Sequence, residues 1–580
     1  MRRRRGITTL VALAALAASA GGGAAAFAAD APKPDLGTDA QRQAGRKVYA
    51  QYCSQCHGDD GAGDGISAPR LHPRPRDFTS GKFKFRSTPT GYLPTDDDLR
   101  RTIKDGLPYT GMANFDTILS DEQVTDVIEY LKTFSADFKD PQAYAAPIDI
   151  PAAPKLGPNA EEVGYKTYVQ IGCARCHGEK GRGDGSSAPT LRDDWGYSIR
   201  PADLAMPWTF RGGDRPEDIF RSISTGLTGT PMAGFADGLT VEQRWQIVGW
   251  ILAQAGKRVD DPYQDLVSAV PVADLSELDG AKTVADAKKA FADAPAALFP
   301  VIGQIMQPGR EFHPTVVGIE MRAIYDSDEV AFQVSWHDIR ADTGGHNAPD
   351  LEAPPFEQQV DPYAKPAPEA KPAEAADQGG QSGGGFWGSG PAAGAEAAGP
   401  APIPASPFSD AVAVQFPIEL RPGVKMPYFL FGDSQYPVEL WFVDLAHPGQ
   451  GRIYQAAGSD SIEADKGVAP HAISGYDHGE WTVVFRRDRQ PSQGISFQEG
   501  TYVPVAFSVW DGLARERGPK RGLTAWHYVY VEPSQKPAVA APMAKAGLTV
   551  LVLELLVVAL VRRRKKKISE ATPNLHPGEV

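Results

Sequence analysis

One pentapeptide pattern occurs twice in this chain, as Cys53-Ser54-Gln55-Cys56-His57 and, 120 residues later, as Cys173-Ala174-Arg175-Cys176-His177. The two copies hold all four cysteines of the 580 residues, so no thiol is left for a disulfide. C-x-x-C-H is the attachment sequence of c-type haem, in which two thiols form thioethers with the vinyl groups and the adjacent histidine ligates the iron. Each copy therefore implies one covalent haem, tethered by Cys53 and Cys56 or by Cys173 and Cys176, with His57 or His177 on the iron.

The surroundings of the pentapeptide repeat as well. A helical pattern, Asp39 to Tyr52, runs into the first copy, and a Gly-rich loop follows each, Gly58 to Gly65 and Gly178 to Gly185. That loop lacks the Lys-[Ser/Thr] ending of a phosphate cradle, and its acids would repel phosphate, so it reads as close backbone approach around a haem edge. Ser67-Ala68-Pro69 matches Ser187-Ala188-Pro189, and Gly106-Leu107 matches Gly226-Leu227. Ser120/Gln123 and Thr240/Gln243 are spaced as capping boxes. Apolar stripes at helical spacing follow them, Val124, Val127, Ile128 and Leu131 in one copy and Ile247, Val248 and Ile251 in the other. Met112 and Met232 each lie 55 residues beyond their histidine, in turns rather than on helical stripes, and are the expected sixth ligands. A thioether opposite imidazole favours ferrous iron and suits electron transfer. Zinc is the alternative for a Cys-x-x-Cys pair. Two pairs, each with an immediate histidine and its own methionine, argue against it.

On these motifs, residues 38–138 and 158–256 resemble two class I c-type cytochrome domains, which implies an all-α fold for both. The resemblance also implies that a proline carbonyl accepts the N–H of the proximal histidine. Pro69 and Pro189 fall at the matching places.

Beyond this the pattern changes. Residues 257–295 read as a connector, with Asp274 to Ala294 able to form a helix. Residues 296–535 carry about seven short strands: Gly318 to Tyr325, Val330 to Trp336, Ala411 to Phe416, Tyr436 to Val443, Glu480 to Phe485, Tyr502 to Trp510 and Thr524 to Val531. That spacing suggests an all-β sandwich, interrupted by a Pro/Ala/Gly/Glu-rich insertion, 352–406, too polar and broken to pack. The stretches VAFQVSWHD (330–338), DAVAVQFP (410–417), FGDSQYPVELWFVD (431–444), GEWTVVFRRD (479–488) and VAFSVWDG (505–512) resemble the haem b-binding γ subunits of ethylbenzene dehydrogenase and related enzymes of the dimethyl sulfoxide reductase family. In that family a Met and a Lys hold the b haem, and the methionine's place is taken here by Phe431. Lys425, Met426, Met306, His313, His471 and His478 are available, but none falls on the motif. The domain either binds a b haem through other ligands or keeps the apolar fold without one. His72, His337 and His346 receive no role. His337 and Asp338, consecutive along a strand, would point to opposite faces and make no acid-base pair.

The two ends read as targeting and anchoring segments. Residues 1–28 have the basic region, apolar core and small-x-small site of a signal peptide, with an uncleaved N-terminal anchor as the alternative. Residues 541–561 form an apolar run reaching the length of a membrane span, and the basic cluster Arg562 to Lys567 opens the tail 562–580. The positive-inside rule then places the tail in the cytoplasm and the body on the periplasmic side of a bacterial membrane. A buried soluble helix and a cleaved sorting signal are the alternatives for that run. Without the two ends the body carries a net charge of about −20, which argues against nucleic acid and suits a basic redox partner.

The chain thus reads as multidomain: two helical cytochrome domains, an all-β sandwich and a transmembrane helix. The expected function is a membrane-anchored relay with two c haems, and a third if the sandwich binds one. From the family resemblance its partners would be a molybdenum oxidoreductase and a respiratory-chain donor or acceptor. The alternative is a catalytic fusion in which the sandwich binds a small molecule or carbohydrate whose oxidation feeds the haems. No nucleophile constellation is present.

Overall fold

The computed structural model describes residues 34–255, 263–354, 405–419, 426–465, 467–491, 494–535 and 540–571. The expected signal peptide, residues 355–404 of the insertion and residues 572–580 of the tail lie outside the described residues.

The helical region contains the same arrangement twice. The first comprises α1 (Asp39–Tyr52), the single turn α2 (Ser54–His57), α3 (Asp96–Asp105) and α4 (Asp121–Leu131). The second comprises α5 (Ala160–Gln170), the single turn α6 (Ala174–His177), α7 (Pro216–Thr225) and α8 (Val241–Gln254). The first and last helices of each set cross closely because a glycine sits at the contact. A Cβ on Gly45 would lie 1.9 Å from the Asp126 carbonyl oxygen, and one on Gly164 would lie 2.1 Å from that of Gln246. The expected capping boxes are formed: Ser120 Oγ accepts from Gln123 N–H at 3.2 Å, and Thr240 Oγ1 accepts from Gln243 N–H at 3.2 Å. Behind the caps, Val124, Val127, Ile128 and Leu131 are buried in the first core, and Ile247, Val248 and Ile251 in the second.

The two helical units share an interface closed by a buried cation. Arg86 of the first donates from Nη2 to the Thr225 carbonyl at 2.7 Å, and Thr90 Oγ1 donates to the same oxygen at 2.8 Å. Thr225 ends α7, so both groups satisfy a helix C-terminal carbonyl that has no intrahelical donor.

Among the described residues the β region has fourteen strands: β1 (Leu266–Pro271), β2 (Ala297–Pro300), β3 (Ile302–Gly303), β4 (Gly318–Tyr325), β5 (Glu329–His337), β6 (Ala411–Pro417), β7 (Val438–Asp444), β8 (Gly451–Ala456), β9 (Ile462–Ala464), β10 (His471–Asp477), β11 (Glu480–Asp488), β12 (Tyr502–Trp510), β13 (Gly522–Leu523) and β14 (His527–Val531). The main path runs β10-β11-β5-β4-β1-β14-β12-β6-β7-β8-β9. Strand β12 is the hinge, because Tyr502 to Val505 pair with β14 while Ala506 to Trp510 pair with β6. The two halves enclose one apolar core in which Trp441 meets Phe416 at 4.8 Å and Phe332 at 5.6 Å between ring centroids.

Two expectations change. The connector 257–295 is partly sheet, since β1 pairs in parallel with β4 and β14 near the middle of the path. Its Asp274 to Ala294 stretch forms short helical turns rather than one helix, and Leu275, Leu278, Ala287 and Phe291 cover Ile324, Ala331 and Val484 of the sheet. The strand count doubles because the added strands are short, or lie at edges with polar exposed residues, as His471–Asp477 does.

After the sandwich comes a helix, Ala540–Ala571. Its segment Pro542–Lys567 is long and apolar enough to cross a membrane, and none of its apolar window is buried among the described residues.

Candidate functional site

In both helical units the first helix delivers the chain into a one-turn helix that ends on the histidine. The Gly-rich loop then folds back on that turn. Gly63 N–H donates to the His57 carbonyl at 2.8 Å, Gly65 N–H to Cys56 at 3.2 Å and Ser67 N–H to Gln55 at 3.0 Å. Gly183, Gly185 and Ser187 repeat these bonds to His177, Cys176 and Arg175 at 2.8, 3.2 and 2.9 Å. A Cβ on Gly65 or Gly185 would lie 2.3 Å from the Gln55 or Arg175 carbonyl oxygen, so the return path admits only glycine. The loop therefore braces the pentapeptide's own backbone. The four half-buried cysteines form no disulfide, and Cys53 and Cys173 pack against the two apolar cores. Burial, with Cys56 adding to it, pushes the Cys53 thiol up to about 12, and burial pushes Cys173 to about 11.

Each histidine ring is held through Nδ1. His57 Nδ1 lies 2.9 Å from the Arg76 carbonyl and His177 Nδ1 lies 3.0 Å from that of Ala202. A carbonyl can only accept, so each Nδ1 carries the proton and Nε2 keeps its lone pair for a metal. Burial lowers both imidazole pKa values, against the opposing pull of these carbonyls, which favours the neutral ligand form. Phe78 stacks on the His57 ring at 4.4 Å between centroids. The expected acceptors, Pro69 and Pro189, are not the ones observed. They sit in 3₁₀ turns, Ala68–Arg70 and Ala188–Thr190, and the Pro69 carbonyl instead accepts from His313 of the sandwich. The observed supports lie 19 and 25 residues beyond their histidines, so no common spacing marked them.

Met112 and Met232 occupy matching loops. Leu107 N–H donates to the Met112 carbonyl at 3.0 Å, and Leu227 N–H to that of Met232 at 2.9 Å. Thr110 and Thr230 each donate to the leucine carbonyl and accept from the methionine N–H. Both methionines are half-buried. Their equal offset from the histidine hides two compensating changes. The second unit is six residues longer before the histidine support and six shorter between that support and α7.

Three observations test whether a c haem fits these residues. The histidines present a free Nε2, the cysteines border apolar cores, and half-buried cations lie beside the first site. Burial lowers Arg211, takes Lys84 down to about 8 and takes Arg76 to about 10, and Lys84 feels the other two. Partly desolvated cations that repel one another suit anionic groups such as haem propionates. The residues fit.

Each support leads to the next domain. Arg76 lays its guanidinium 4.2 Å above the Trp195 ring of the second unit, and Trp195 Nε1 donates to Asp77 Oδ2 at 3.1 Å. Beyond Ala202, Asp203 accepts from Arg182 Nε at 3.0 Å, and the Arg182 carbonyl accepts from His337 Nε2 of the sandwich at 2.5 Å. His72 faces His313 of the sandwich at 6.0 Å, and His346 Nδ1 lies 3.1 Å from Asp444 Oδ2. Histidines without a chemical role thus make packing contacts, two of them between domains. Phe431 is buried with φ +68° beneath the Arg521 guanidinium, 3.7 Å from its ring. Met306 is exposed, Met426 is half-buried, and Lys425 lies outside the described residues.

Residues 40–131 and 159–251 match the family described as cytochrome c oxidase, cbb3-type, subunit III. The chain therefore carries c-type cytochrome domains, and these imply covalently bound haem c. A protein of Haloferax mediterranei named as a respiratory nitrate reductase heme subunit is 27% identical over 162 residues, 27% of this chain and 56% of that protein. The cbb3-type cytochrome c oxidase subunit FixP of Azorhizobium caulinodans is 28% identical over 178 residues, 30% of this chain and 52% of the relative. The chain spans about half the length of these two relatives. A chain of the reducing HAO-like protein complex of Kuenenia stuttgartiensis is 37% identical, covering 39% of this chain and 100% of that one, with a TM-score of 0.36.

Proposed function

We propose that this protein is a dihaem electron-transfer subunit, held at the periplasmic face of a bacterial membrane by Pro542–Lys567, that passes electrons between a molybdenum-type oxidoreductase and a respiratory-chain partner. The observation that carries it is the pair of half-buried histidines, each with Nδ1 bonded to a backbone carbonyl and Nε2 left to ligate. Bound haem c supplies one-electron uptake and release. When bound, haem c would be tethered by Cys53, Cys56, Cys173 and Cys176 and would be held by His57 with Met112 and by His177 with Met232. Phe78 and the first apolar core would shield the His57 ring from water. The Arg76–Trp195 and Arg182–His337 contacts fix the domains in series, which keeps the distances for transfer constant. The names of the relatives, subunits of nitrate reductase, cytochrome oxidase and an HAO-like complex, support redox partners. The sandwich serves as the docking body. The position that the γ-subunit resemblance would give a haem b ligand is Phe431, which lies under the Arg521 guanidinium.

The test is to substitute Cys53 and Cys56 by Ala, and separately Cys173 and Cys176. Each pair should remove one haem, and the loss of either should interrupt turnover-linked reduction in membranes. Unchanged haem content in both variants would overturn the reading.

A further inference from the structure

Three aspartates flank strand ends at one rim of the sandwich. Asp338 follows β5, Asp410 precedes β6 and Asp511 follows β12. They are 4%, 0% and 1% exposed, and each offers one carboxylate oxygen to a common point, the three oxygens lying within 4.8 Å of one another. Asp410 accepts from Gly512 N–H at 2.8 Å, Asp342 N–H at 2.6 Å and Trp481 Nε1 at 2.9 Å. Asp338 Oδ1 accepts from Arg340 N–H at 3.1 Å and Asp511 Oδ1 from Ala514 N–H at 3.2 Å. The Oδ2 atoms of Asp338 and Asp511 are buried without any hydrogen-bond partner. Arg340 is paired with Asp342, and the adjoining Glu516, whose Oε2 accepts from Asp511 N–H at 2.8 Å, adds a further buried carboxylate beside Asp511. Burial, then mutual repulsion, holds Asp338 and Asp410 well above the usual carboxylate range.

We propose that Asp338, Asp410 and Asp511 form a structural binding site for one calcium ion, which clasps the two halves of the sandwich at this rim. The donors are hard oxygens, and oxygens 2.3–2.6 Å from calcium stand up to about 5 Å apart across the ion, so one ion fits between all three. A divalent cation satisfies the two orphaned oxygens at once and removes most of the buried charge. The site also bears on the proposed relay, because its neighbour His337 touches the Arg182 carbonyl in the haem loop of the second helical unit.

The full-length haem-loaded protein, purified without added metal or chelator, is analysed by plasma mass spectrometry. The expected result is about one calcium per chain. Treatment with EGTA should lower the melting temperature of the β-sheet circular dichroism signal by roughly 5 °C or more, and calcium should restore it. Asp511→Asn should lose both the calcium and the response to EGTA. No stoichiometric calcium together with a melting temperature indifferent to EGTA and calcium overturns the proposal, whatever the variant does, and leaves protons as the neutralising charge. One equivalent of magnesium or a transition metal in place of calcium overturns it too.

Discussion

Replacing Trp195 by alanine should loosen the contact between the two helical units without touching either core. Trp195 Nε1 donates to the Asp77 carboxylate at 3.1 Å, and a hydrogen bond to a charged group contributes about 1.5–3 kcal/mol. Its ring lies 4.2 Å beneath Arg76, whose pKa burial lowers to about 10, and a half-buried cation–π contact adds about 1–2 kcal/mol. Together they give about 2.5–5 kcal/mol, or about 5–20 °C at the 2–4 °C per kcal/mol typical of a unit this size. Thermal unfolding followed at the Soret band reports only the haem domains and is the appropriate assay. Trp195→Phe keeps the ring and loses the donor, so it should cost about half as much. Because the Arg76 carbonyl also holds His57, the alanine variant should shift the reduction potential of the first haem more than that of the second. A shift below about 2 °C in Trp195→Ala, or equal losses in the two variants, would refute the energetic assignment.

Other outcomes follow from the same structure. Ser120→Ala and Thr240→Ala each remove one capping box and should each cost about 1 kcal/mol in Soret-detected unfolding. Burial first, then Arg74, holds His313 at about 4, below its ordinary 6.5, so its contribution to stability is complete above pH 6.5 and is lost as pH falls toward 4. His72 is depressed in the same direction by burial, so melting temperature should fall steeply across that window, and His313→Gln should flatten the slope. Met112→His and Met232→His should each lower one reduction potential in a spectroscopic titration, since imidazole stabilises ferrous iron less than a thioether does. Unchanged potentials would remove the methionines from the iron.

The helical part of the fold was legible because its signals are local. Capping hydroxyls, stripes at helical spacing and a doubled pentapeptide need no partner to be recognised, and Ser120, Val124 and His57 lie where their motifs place them. The histidine supports were not legible. They are backbone carbonyls, which leave no mark in residue type, and loops of unequal length carry Arg76 and Ala202 to their places. In the sandwich the long strands with alternating apolar residues could be read, whereas β1 and β10 are strands only because neighbours pair with them. The aspartate cluster shows the same limit. Asp338, Asp410 and Asp511 each close or open a recognisable strand, yet only the folding of β12 between two half-sheets brings them together.

The central claim is that this chain carries two c haems in series. A pyridine haemochrome spectrum of the purified protein, which separates c from b haem and counts both per chain, tests it most directly. The account predicts two c haems and no b haem. A chain with no c haem, or with one, would contradict it.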